Sequence, residues 1–181
     1  MTWMARLIPA CGLAWLLSMG CLTPARGQAL AETPLRVCEV LENLPRYRGK
    51  TITVRGMLYQ SREITALGDT PCKHPMRTGD HQWPPALDLE YSSYTPRDEA
   101  AVTFQTDLEN VETTSAEVRA LREKAPSRDV WVTVVGHLRA RDKYNVSLGG
   151  DGKWHGQGYG HLGIYPAQLV IRRMYKAGLA P

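Results

Sequence analysis

Two periodicities alternate along this chain. Ile52 and Val54 are interleaved with Thr51, Thr53 and Arg55, the two-residue repeat of a strand with one buried face. Gly56 breaks the phase and the apolar Met57 and Leu58 follow as neighbours, which predicts a bulge or a sharp coil within a strand over 51–59. Short strands are predicted over 63–67, where the chain returns, and over 86–91, where Leu87 and Leu89 alternate with Asp88 and Glu90. The β-branched run Val130-Trp-Val-Thr-Val-Val-Gly136 predicts a fourth strand that can continue to Ala140, and 167–174 predicts the last. A short extra strand is expected over 102–105.

The helical repeat occurs twice. Val37, Val40, Leu41 and Leu44 recur at helical spacing after Thr33-Pro34, a cap and a first-turn proline, and Pro45 is expected to end that helix. Thr114-Ser-Ala-Glu117 has the form of a capping box, with Val118 and Leu121 on one face before Pro126. Residues 68–85, with four prolines and no period, predict a long loop. A helix between the third and fourth of five strands is the order of an OB-like Greek-key barrel, mainly β, here with an additional N-terminal helix. Coiled strands of such a barrel need glycines or bulges, a mechanical reason for Gly56 and Gly136.

The first 31 residues follow a different logic. Arg6, an apolar run from Leu7 to Leu17 and the small-residue ending Ala29-Leu30-Ala31 have the order of a secretory signal. Cleavage is expected before Glu32, with release after Gly27 as the second candidate, leaving 32–181 as a single OB-like barrel domain. The run is short for a spanning helix and carries Pro9. An exported protein, periplasmic or extracellular, is therefore expected, with no transmembrane segment once the signal is removed; tethering by lipid on Cys21, after Ser18-Met19-Gly20, is the alternative.

Removing the signal changes the charge. The chain has 22 basic and 18 acidic residues; without Arg6 and Arg26, 20 basic residues face the same 18 acids, a net charge of +2. That value gives no support to a nucleic-acid surface. Of four cysteines, Cys11 and Cys21 lie in the signal, and the remaining Cys38 and Cys72 are expected to form a disulfide in an oxidising compartment.

Val37-Cys38-Glu39-Val40-Leu41, Tyr47-Arg48-Gly49-Lys50, Val54-Arg55-Gly56, Gly160-His161-Leu162-Gly163 and Tyr165-Pro166-Ala167-Gln168-Leu169 extend over most of the chain beyond the signal. In these motifs the chain resembles a group of exported bacterial OB-like proteins of uncharacterised function. The resemblance implies the fold and the export, and it brings no catalytic or ligand-binding residues.

The segment 148–163 stands out chemically, with seven glycines and Trp154, His155, Tyr159 and His161. In the expected fold it joins the fourth and fifth strands, one of the loops through which OB folds hold oligonucleotides and oligosaccharides. Glycines allow backbone amides to approach a ligand, and Trp154 and Tyr159 offer stacking faces; the competing reading is a surface insertion packed on the barrel end. Arg55 and Tyr59 on the first strand are further ligand candidates, opposed by Asp88 and Glu90 on its neighbours.

Neither a phosphate-binding glycine loop nor a dinucleotide turn is present. Cys72, His74, His81, His155 and His161 lack the spacing of a zinc site, so no metal and no cofactor is expected. An exported OB nuclease would need an acid cluster with two arginines, and Arg55, Asp88, Glu90 and Arg97 are scattered. The reading is a non-catalytic binding module for a glycan, an oligonucleotide or an envelope protein. A secreted nuclease-like hydrolase and a structural or assembly protein of the envelope are the alternatives.

Overall fold

A computed structural model describes residues 33–69, 71–91 and 106–180. The expected signal, the strand over 102–105 and Arg97 lie outside the described residues. Five main strands form the framework: β1 (Thr51–Gln60), β2 (Thr65–Gly68), β3 (Ala86–Glu90), β4 (Val130–Ala140) and β5 (Ala167–Leu179). They pair in the order β1-β2-β3-β5-β4, and β4 pairs again with β1 to close the barrel. The β3–β5 pair is parallel, and the other four are antiparallel. This is the pairing of an OB-like barrel.

Alternation puts Val54, Leu67, Leu87, Val132, Val134, Leu138, Leu169 and Ile171 inside, all fully buried. Helices α1 (Val37–Glu42) and α2 (Leu44–Tyr47) add Val37, Val40, Leu41 and Leu44 to the same core, and α3 (Leu108–Lys124) adds Val111 and Val118. The expected disulfide is formed: Cys38 and Cys72, with Cα atoms 5.2 Å apart, fasten α1 to the β2–β3 connection. Closing that loop of chain is worth about 3–4 kcal/mol on the chain-entropy estimate.

Several boundaries differ from those the sequence predicts. The first helix begins at Val37, because Leu35 and Arg36 pair in parallel with Val54 and Arg55, and Arg36 donates two hydrogen bonds to Asp69. Pro45 does not terminate it; Asn43 does, and Pro45 sits in the first turn of α2, where a missing N–H is harmless. Thr114 does not cap α3. The helix starts six residues earlier, at Leu108, with the Asp107 carboxylate accepting from Asn110 N–H at 3.2 Å. Thr114 is buried mid-helix, where its hydroxyl donates to the Met174 carbonyl.

Gly56 is not a bulge: the β1–β4 register runs through it unbroken. A Cβ there would stand 2.7 Å from the Gly68 carbonyl oxygen and 2.9 Å from Val37, so the glycine serves close approach. Gly136 does the same against the Val170 carbonyl, at 2.5 Å. The register shifts that bend the barrel occur in β5, between Ile171 and Arg173 and between Tyr175 and Gly178.

Candidate functional site

The connection from β4 to β5 is where the sequence concentrates its aromatic residues, histidines and glycines. Its first part is a hairpin in which 146–148 pairs with 154–156, bringing Leu148 opposite Trp154 and Ser147 opposite His155. Leu148 and Trp154 are 59% and 42% exposed. In the turn, Asp151 accepts from His155 Nε2 at 2.9 Å and from Lys153 N–H at 3.0 Å. Those hydrogen bonds, the His155 one first, hold its carboxyl below the ordinary value.

The hairpin is fixed from behind by a residue that sequence reasoning passed over. Trp83, in the stretch expected to be a structureless loop, is 1% exposed. A two-residue hairpin, 77–78 with 81–82, holds it, and its indole N–H donates to Thr78 Oγ1 at 3.0 Å. The ring meets His81 and Tyr144 edge-on, with centroids 4.6 and 5.1 Å away. A Cβ on Gly156 would lie 2.2 Å from this ring, and one on Gly158 would lie 2.8 Å from it and 1.9 Å from the Tyr165 carbonyl oxygen. These two glycines leave room for a tryptophan of the chain itself. His81 Nδ1 completes the anchorage at 3.1 Å from the Trp154 carbonyl oxygen.

Past Gly158 the chain lies over the outside of the barrel. Tyr159 and Tyr165 exchange backbone hydrogen bonds of 2.8 and 3.2 Å. Gly160, at φ 70°, sits against the Asp88 carboxylate; Tyr165 packs with Ala66 and Ala86; and His161 Nε2 approaches Glu63 to 3.5 Å. Residues 159–165 thereby cover outer positions of β2 and β3, part of the face on which OB folds hold ligands.

Beneath this strap, Tyr59, Ala66, Asp88, Gln168 and Arg139 stand in register across all five strands. Gln168 donates from Nε2 to Asp88 at 2.8 Å and accepts from Arg139 at 3.2 Å. Burial pushes the Asp88 carboxyl above its ordinary value, the Gln168 hydrogen bond opposes this, and the charge of Glu90 adds to it.

The candidate residues thus separate. Trp154 and His155 are exposed on the hairpin, whereas Tyr159 is buried with the Arg141 guanidinium 5.2 Å from its ring centre. His161 is half-exposed at Glu63. Tyr59 is partly exposed, its ring lying over Gly68, where a Cβ would be 2.3 Å away. Arg55 donates to Thr133 Oγ1 and to the Lys176 carbonyl at 3.1 and 3.2 Å. It is four positions along β1 from the row that contains Asp88, roughly 13 Å at strand spacing, so no nuclease-like pairing of the two exists. Among the described residues, no three His, Cys, Asp or Glu side chains are grouped to hold a metal ion, and no helix is long and apolar enough to cross a membrane.

No family model, curated protein or solved structure matches the chain. Trp83 and the Asp88–Gln168–Arg139 row escaped the sequence reading because each lies where periodicity is silent or shared. One signal was available: a tryptophan at Gln82-Trp83-Pro84-Pro85, in a chain with a single phenylalanine, is a large apolar group that needs a burial site.

Proposed function

We propose that the protein is an exported, non-catalytic OB-like module that binds a protein partner of the cell envelope through the β4–β5 connection. Leu162 carries this reading. It stands at φ 57° and is 80% exposed, so the backbone holds an apolar side chain in the left-handed region and in water at once. Each feature is unfavourable for a leucine, and such strain is retained where surrounding structure and function require it. Ile164, two residues on, and the Leu148–Trp154 pair are further exposed apolar groups on the same connection. Tryptophan is one of the three residue types enriched at the energetic centres of protein interfaces.

An oligonucleotide or glycan on the usual OB face is the weaker reading, because residues 159–165 occupy part of that face. The disulfide fits the oxidising destination that the N-terminal sequence suggests.

A photo-reactive amino acid placed at 162 or 154 in the native compartment is expected to crosslink to one protein species, competed by the purified protein. The same probe at Glu112, on the exposed side of α3, is expected to give none. Equal crosslinking from 112, or binding confined to glycans or oligonucleotides and indifferent to Leu162→Asn, would overturn the assignment. The intact mass of the exported form tests the export itself: a chain beginning at Glu32 or Gln28 is expected, and a species retaining Met1 would refute it.

A further inference from the structure

A second feature of the molecule has the make-up of a small-molecule site; it uses the start of the β4–β5 connection, and none of the exposed residues Leu148, Trp154, Leu162 and Ile164 lines it. Between the N-terminal helices and the turn after β4 is an open cavity of about 240 Å³. Leu41, Leu44, Met76, Ala140 and Tyr144 supply its apolar wall, and Arg48, Arg141 and Asp142 also line it. The Tyr144 hydroxyl is engaged with the Pro166 carbonyl, so this ring presents its apolar body.

The charges do not balance. Arg48 is ion-paired with Asp142. Arg141 has no carboxylate partner among the described residues: its guanidinium donates one hydrogen bond, to the Gly158 carbonyl at 3.3 Å, and lies against the Tyr159 ring, while its backbone N–H donates to the Tyr144 hydroxyl. A guanidinium has five N–H donors in a planar fork suited to a carboxylate, and most of those on Arg141 are unused. With Arg48 and Asp142 paired, the one remaining guanidinium matches an occupant with a single negative charge. Ligand pockets usually measure about 300–1,000 Å³, so the occupant here is small.

We propose that this cavity binds a small monocarboxylate with an apolar body, its carboxylate on Arg141 and its body against Leu41, Leu44, Met76 and Tyr144. Aliphatic and aromatic acids share this chemistry, and the test separates them.

Octanoate and 3-phenylpropanoate would be titrated into the disulfide-bonded protein by calorimetry, with 1-octanol and octylamine as head-group controls. At least one acid is expected to bind saturably at 1:1, at least tenfold more tightly than either control, and the tighter acid names the body the cavity prefers. Amide shifts in NMR are expected around Leu44, Met76 and Tyr144. Arg141→Gln should weaken binding at least tenfold. Because Arg141 also supports Tyr159, Ala140→Leu provides an independent arm that fills the cavity without touching its charge, and it too should weaken binding at least tenfold. Failure of both acids to bind, an acid no tighter than octanol, or affinity unchanged in both variants overturns the proposal. None of these outcomes depends on a protein partner at Leu162.

Discussion

Trp83 and Trp154 share His81 as a neighbour and do opposite things. Trp83 is sealed against Gly156 and Gly158, whereas Trp154, two residues before Gly156, projects into solvent from a hairpin whose far side Trp83 supports. The glycines divide in the same way. Those at 156 and 158 are required by neighbouring atoms, while Gly150 has nothing within 4 Å of where a Cβ would be. A glycine-rich, aromatic-rich segment thus contains one stretch built for packing and another that remains available for recognition.

The sharpest way to break the comparison is to remove each indole. Trp83→Ala should lower the free energy of unfolding by about 3–5 kcal/mol, the range for deleting a buried tryptophan. Trp154→Ala should change it by no more than about 0.5 kcal/mol, as for a surface substitution. Chemical denaturation of both variants measures the contrast, and similar losses would mean that the hairpin is as much core as the residue behind it.

Adding one methyl group tests the glycines at finer resolution. Gly158→Ala places a carbon inside contact distance of the Tyr165 carbonyl oxygen and of Trp83, and should destabilise by about 1–3 kcal/mol or more. Gly150→Ala should fall within about 0.5 kcal/mol of the native protein. The melting temperatures of the two variants, compared under one set of conditions, are the readout.

The barrel was far more legible in the sequence than this connection, for a physical reason. Ile52 and Val54, Leu87 and Leu89, and the run from Val130 each follow a period imposed by a shared core, so strand order could be read directly. The start of α3 was obscured because Thr114 fits a cap locally, yet in the fold its hydroxyl reaches Met174 on β5, a partner no local motif reveals. Trp83 was hidden similarly, since its pocket is built from glycines more than seventy residues later in the chain. Trp154, His155, Tyr159 and His161 are neighbours in sequence, but packing turns Tyr159 inward and leaves Trp154 and His155 out.

The strap and the hairpin should also differ in their response to pH. Asp88 lies under Gly160 with its folded pKa raised above the ordinary 3.8 by burial, so the folded state takes up its proton before the unfolded state does. Its ionised form is therefore a cost, fully present above the folded pKa, declining as pH falls from there toward 3.8, and absent below. Asp88→Asn removes that dependence while its amide oxygen can still accept from Gln168. The stability difference, variant minus native, should shift in favour of the variant as pH is raised through this window, measured by denaturation at a series of pH values. A difference flat in pH would mean that the strap leaves Asp88 hydrated.

The smallest expected change bears most directly on function. Leu162→Asn replaces a leucine at φ 57° by a residue that tolerates the left-handed region, and it removes an exposed apolar side chain without touching the core. Thermal unfolding should show a gain of about 1 kcal/mol, the low end of the cost of holding a residue other than glycine in the left-handed region, which asparagine tolerates better than leucine. Crosslinking to the partner from position 154 should be lost in the same variant. A gain in stability joined to a loss of binding would show that this leucine is kept at the expense of the fold, on the available side of the comparison. A loss of stability would place Leu162 with Trp83 among the packed residues, and the partner surface would then have to be sought on the Leu148–Trp154 face alone.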